Sequence, residues 1–139
     1  MDRVTAAPQE TEALAAQLAV LLEAGDVVAV SGELGAGKTT FVRGAAHALG
    51  VTEPVSSPTF TIGHRYAAPI PVAHLDLYRI AGLDLEVWGD LEPYFDGTIA
   101  FVEWPEHGGD WLPRARAVVT LGHVDESHRS VRIDSDLGL

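Results

Sequence analysis

Apolar positions recur at helical spacing through residues 11–24, where Leu14, Leu18, Leu21 and Leu22 share one face and Gly25 offers a left-handed stop; an amphipathic helix is predicted. Residues 27–30, Val-Val-Ala-Val, form the short unbroken apolar run of a strand covered on both faces. The pattern breaks in a glycine-rich stretch at 32–37, and good helix formers return over 39–49 with Gly50 as the stop. Strands are predicted at 61–67 and 72–77, with Pro69 and Pro71 confining the link to an extended turn. In 83–95 the spacing of Leu85, Trp88 and Leu91 suits a short helix that Gly89 and Pro93 would interrupt. Residues 98–102 read as another buried strand, ending at the acid Glu103, and 117–121 and 130–133 as two late strands joined by a polar stretch. There is no internal repeat or low-complexity segment, so 1–139 is expected to be a single domain with loose ends at 1–8 and 135–139.

Composition narrows the class. A chain of 139 residues with 47% apolar and 21% charged side chains can bury its own core and is neither fibrous nor disordered in character. Without cysteine it has no disulfide framework, thiol nucleophile or Cys-ligated metal centre. Residues 1–10 lack the apolar run of a signal peptide and no stretch reaches about 18 apolar residues, so a cytoplasmic address without membrane contact is expected. A net charge of -11 is the wrong sign for extensive direct nucleic-acid binding. Between Arg79 and Arg114 there is no Lys or Arg but eight acids, which makes either a solvated face or a negative docking surface for a basic partner.

The glycine stretch carries the strongest chemical signal. Residues 32–39, GELGAGKT, satisfy G-x-x-x-x-G-K-[ST] between an apolar strand and a helix, the context a phosphate-binding P-loop requires. Glycines let successive N–H groups turn inward toward phosphate oxygens, and the following helix presents its positive end to the same anion. Lys38 can reach the β and γ phosphates, and the Thr39 hydroxyl is placed to ligate Mg2+. The nucleotide-binding set is Gly32, Glu33, Leu34, Gly35, Ala36, Gly37, Lys38, Thr39 and Thr40. Lys38 is the only lysine; the other eight basic residues are arginines. The Asn/Thr-Lys-x-Asp motif that reads guanine in many GTPases needs another lysine, so ATP is favoured.

A P-loop nucleotidase also needs a strand-end acid for its metal. Glu103 closes one apolar strand and Asp76 another, and in an open parallel sheet both would emerge at the ligand-binding edge. Glu103 is assigned to Mg2+ and Asp76 to the water shell or the attacking water, though the roles are interchangeable at this level. Thr59, in the turn-prone stretch SSPTF, suits either a γ-phosphate-sensing switch or a structural turn. Arg79 could supply positive charge to the reaction, bind a partner or pack on Tyr78, while Trp104 could shield the site or pack beside it. The six histidines lack the paired spacing of a dedicated metal site and read as structural.

Together, GELGAGKTT at 32–40, SPTFT at 57–61, HLDLYR at 74–79 and VEWPE at 102–106 resemble the TsaE family, also called YjeE, in order and spacing. The resemblance covers roughly residues 10–106. It implies a small ATPase that works with the TsaB and TsaD proteins in making threonylcarbamoyladenosine in bacterial tRNA. It also implies an α/β P-loop nucleotide-binding fold, its central, mostly parallel sheet flanked by antiparallel strands and covered by helices. Carried over residue by residue, the pattern marks Lys38, Thr39, Thr59, Asp76, Glu103 and Trp104, with Glu103 as the metal acid. Glu33 stands where the family often has Asp, and Leu75 where Phe is common. Two readings from other classes stand beside it: a small-molecule kinase, and a nucleotide-responsive interaction module with negligible hydrolysis.

Overall fold

The computed structural model describes residues 1–58 and 61–139. Its sheet has seven strands: β1 (Asp2–Thr5), β2 (Val27–Gly32), β3 (Gly63–Tyr66), β4 (Val72–Asp76), β5 (Ile99–Glu103), β6 (Ala117–His123) and β7 (Arg129–Ser135). The helices are α1 (Pro8–Ala19), α2 (Lys38–Ala48) and α3 (Leu85–Leu91), with 3-10 turns at Glu92–Phe95, Pro105–His107 and Gly109–Trp111. Strand order is β1-β7-β6-β2-β5-β4-β3. The four middle strands run parallel, and β1, β7 and β3 join antiparallel.

The apolar run at 27–30 lies at the centre of this sheet because two parallel neighbours and two covered faces leave no side of it in water. On one face α1 and α2 press Leu14, Leu18, Phe41, Val42 and Ala45 against Val28, Val30, Ile99 and Phe101. On the other, Ala73, Leu75, Ala100 and Val102 are covered by α3 and the irregular segments around it, through Leu91, Trp88, Tyr94 and Leu112. The strands at the β6–β7 end are instead buried on one face only and alternate strictly, with Val119, Leu121, Val131 and Ile133 inward and Thr120, Arg132 and Asp134 in solvent.

Several boundaries differ from the sequence reading. The expected loose start at 1–8 is instead the edge strand β1 and the opening of α1: Asp2–Thr5 pairs with β7, and the Thr5 and Thr11 hydroxyls meet at 2.7 Å in a buried contact. Four polar-rich residues carry too little periodicity to announce a strand; the pairing comes from the long-range partner. Likewise β7 continues to Ser135, and Leu137 and Leu139 lean on the core. Helix α1 begins earlier, with Pro8 in its first turn, and stops at Ala19, so Leu22 is buried from the following turn while Leu21 is 39% exposed. The interrupted segment resolves into α3 followed by a 3-10 turn that has Pro93 at its start, where a missing N–H costs nothing. Asp84 caps α3 by accepting from the Val87 N–H at 2.9 Å. Asp84→Ala should therefore lower stability by about 1 kcal/mol, readable as a small fall in thermal midpoint without loss of nucleotide binding.

Candidate nucleotide site

The loop between β2 and α2 curls because three glycines take left-handed or extended positive φ: Gly32 at 153°, Gly35 at 75° and Gly37 at 100°. At Gly32 a Cβ would lie 2.5 Å from the Leu121 carbonyl oxygen, so the adjacent strand β6 as well as the backbone angle demands glycine. The loop is tied down from the β6–β7 hairpin: His123 Nε2 lies 3.1 Å from the Leu34 oxygen, and Arg129 Nε donates to the Gly35 oxygen at 3.4 Å. The hairpin turn is held by Asp125, which accepts from the His128 ring and from the N–H groups of His128 and Ser127; these bonds, the ring's first, keep its carboxyl well below the usual carboxylate range.

Lys38 is 5% exposed and folds back on the loop, donating to the carbonyl oxygens of Gly32 at 2.7 Å and Glu33 at 2.8 Å. Its Nζ also sits 4.6 Å from the centroid of the Trp104 ring. Burial lowers the ammonium pKa, and the nearby carboxylates of Glu103, Asp76 and Glu106 oppose that shift. Trp104 holds this place in a left-handed conformation, φ 56°, the only non-glycine with positive φ among the described residues. Such a residue carries strain of about 1–2 kcal/mol. Its ring packs on Tyr78 at 5.0 Å and His107 at 5.6 Å. Trp104 thus lines the cleft while its partly buried ring packs against the core cluster around Leu75 and Val102.

Parallel pairing places Asp76 directly beside Glu103 at the strand ends. Glu103 accepts from the Thr39 hydroxyl, 3.1 Å to Oε2 and 3.4 Å to Oε1. Asp76 accepts from the Ser57 hydroxyl at 2.8 Å and the Tyr78 N–H at 3.0 Å. Lys38, Thr39, Thr40, Asp76 and Glu103 line one cleft of about 200 Å³. Leu34 stands exposed at the loop tip, and Ala36 is fully buried beneath it. Thr59 lies outside the described residues. Arg79 borders a larger neighbouring cleft of about 640 Å³ with Tyr78 and Ile80, which shares Leu34, Ser57 and Asp76 with the smaller one but neither Lys38 nor Thr39. Among the described residues, only in the smaller cleft do the loop, the ammonium and both carboxylates meet.

The available donors are hydroxyl and carboxylate oxygens, which suit a hard cation. Among the described residues no group of three or more His, Asp and Glu side chains converges into a cage.

Two site contributors escaped the sequence reading. His74 is fully buried with its Nε2 2.5 Å from Glu103 Oε2, and the β6–β7 hairpin supports the loop through His123 and Arg129. The alternation of the HLD stretch could have placed His74 and Asp76 on one face of their strand; nothing in the sequence joins the hairpin to the loop.

Comparison with known proteins gives the family. The family model for the threonylcarbamoyl adenosine biosynthesis protein TsaE matches residues 5–131. The tRNA threonylcarbamoyladenosine biosynthesis protein TsaE of Bacillus subtilis is 37% identical over 129 residues, which cover 91% of this chain and 80% of that protein. The protein of the same name from Treponema pallidum is 34% identical, covering 96% and 99%. The crystal structure of Bacillus subtilis YdiB matches with a TM-score of 0.78 at 34% identity, over 94% of this chain and 82% of that one. With a P-loop at the centre of its parallel strands and a family match over nearly its whole length, the chain belongs to the TsaE family of threonylcarbamoyladenosine biosynthesis proteins.

Proposed function

We propose that this chain binds ATP with Mg2+ and hydrolyses it slowly, in support of tRNA threonylcarbamoyladenosine formation carried out with TsaB and TsaD. The observation that carries the reading is the convergence of Lys38, Thr39, Asp76 and Glu103 on the cleft at the mouth of the P-loop. ATP is preferred over GTP because no second lysine exists to read guanine.

Phosphates entering the cleft take over the donors that the loop now turns on itself. Lys38 exchanges the Gly32 and Glu33 carbonyls for β and γ oxygens, and the N–H groups at the start of α2 face the same anion. Thr39 and Glu103 would hold Mg2+, which neutralises charge on the β and γ oxygens. Asp76, fixed by Ser57 and the Tyr78 N–H, orients the attacking water, whose oxygen bonds to the γ phosphorus as the bond to the ADP oxygen breaks. A second cleft of about 270 Å³ meets the first along Gly35, Gly37 and Thr40 and is bounded by Thr5, Thr11 and Arg129. Its continuity with the first cleft supports this second one as the place for the nucleoside. Positioning and charge compensation by this small set of groups suit slow turnover.

The test is release of ADP and inorganic phosphate, with and without TsaB and TsaD. Equal amounts of both products, abolished in Glu103→Ala, are expected; partner binding that depends on nucleotide without any phosphate release would instead make the chain a switch module. The larger cleft beside Asp76 is the one feature that favours a phosphoryl acceptor. ADP formed in excess of inorganic phosphate, with a phosphorylated metabolite, would support that second reading. A chain that by itself modified tRNA from threonine and bicarbonate would overturn the division of labour proposed here.

A further inference from the structure

A polar ring with no access to water needs a reason to occupy a strand interior, since burying it displaces an apolar side chain and costs free energy unless it is bonded. His74 is the middle residue of β4, fully buried, beside Phe101 in the parallel register. Its Nε2 meets Glu103 Oε2 at 2.5 Å, and Glu103 is itself only 3% exposed. A carboxylate only accepts, so the imidazole donates from Nε2. Its other nitrogen, Nδ1, has no hydrogen-bond partner among the described residues. Packing therefore does not explain the ring: one of its two polar atoms is left unsatisfied, and the other is spent on Glu103.

Glu103 in turn reaches the first turn of α2 through the Thr39 hydroxyl. A chain of contacts thus runs from the interior of β4 through the end of β5 to the start of α2. Glutamate has three rotatable side-chain bonds, and the Thr39 hydroxyl, nearly equidistant from its two oxygens, leaves open which oxygen faces the cleft. The buried donor removes that freedom by pinning Oε2 from below.

We propose that His74 is a positioning residue for the metal–nucleotide site: it anchors one oxygen of Glu103 so that the other stands ready, together with Thr39, for the cation that accompanies the phosphates. The inference rests on the reading of Glu103 and Thr39 as the Mg2+ side of the site. Loss of such an outer hydrogen bond commonly weakens metal affinity by about 10–100-fold. Asp76, held separately by Ser57 and Tyr78, does not depend on this anchor.

The experiment is calorimetric titration of ADP into the full chain, in magnesium chloride and again in EDTA, for the wild type, His74→Leu and His74→Gln, with the thermal midpoint of each. Leu fills the space without a donor; Gln returns an N–H near the position of Nε2. His74→Leu should lose about tenfold of the affinity gained from Mg2+, keep the affinity measured in EDTA, and unfold no earlier than the wild type. His74→Gln should recover most of the Mg2+ gain. If the wild type gains affinity from Mg2+ and His74→Leu gains just as much, His74 does not position Glu103. The positioning role is equally overturned if both variants lose affinity to the same extent in EDTA, as a packing role would produce. A wild type that binds ADP with no gain from Mg2+ would remove the metal reading of the site and this inference with it.

Discussion

Lys38→Ala should abolish measurable nucleotide binding, lowering affinity by at least about 100-fold, while the protein stays folded. Two charge-assisted hydrogen bonds to phosphate, each worth about 1.5–3 kcal/mol, disappear together, and 1.4 kcal/mol is a factor of ten. The fold should tolerate the change because the ammonium is not among its supports. Burial disfavours its charged form, and its present acceptors are two carbonyls of the loop it serves. Calorimetry with ATP and Mg2+ reads the affinity, and a thermal midpoint within a few degrees of wild type separates a lost site from a lost fold. Lys38→Arg should not rescue binding, since a planar fork replaces a compact charge in a pocket closed by the Trp104 ring. Retained binding in Lys38→Ala would mean that the cleft is not a triphosphate site.

The second large effect is on stability. Gly44 lies in the middle of α2 where α1 crosses it, and a Cβ built there would meet Glu12 Cα at 2.4 Å and the Glu12 carbonyl oxygen at 2.6 Å. These are backbone atoms, so no side-chain rotation can relieve the clash; the helices must move apart. Replacing a helical glycine normally gains about 1 kcal/mol in propensity, but overpacking costs about 1–3 kcal/mol and more when backbone must shift. Gly44→Val, which gains less propensity and adds two further methyl groups, should lower stability by about 3 kcal/mol. Denaturant unfolding would show it as a lower midpoint at unchanged slope. Because α2 also carries Lys38 and Thr39, ADP affinity should fall as well, by less than in Lys38→Ala. A Gly44→Val chain as stable as the wild type would show that α1 and α2 do not pack as closely as described.

Local patterns carried much of this protein into view. Val27, Val28, Ala29 and Val30 announce a buried strand because a covered parallel strand needs no alternation, and a glycine loop ending in Lys38 and Thr39 needs only its own residues to curl. The acids Asp76 and Glu103 are visible as the polar ends of apolar runs, and the TsaE resemblance rests on motifs that are each contiguous. The short strand at Asp2–Thr5 has no such signature, since its pairing and its buried threonine contact exist only once β7 and α1 are beside it.

The P-loop, the helix after it, the two strand-end carboxylates and the family are all legible in the chain, because a loop of this kind is built from close neighbours whose spacing is the signal. Tertiary structure alone decided that Glu103 would find the Thr39 hydroxyl 64 positions away and His74 beneath it, that Trp104 would close over Lys38, and that the β6–β7 hairpin would brace the loop. These contacts depend on strand order and register. The parallel alignment of β4 with β5 sets Asp76 beside Glu103, and a slip of β4 by one residue would turn Asp76 to the opposite face, away from Glu103.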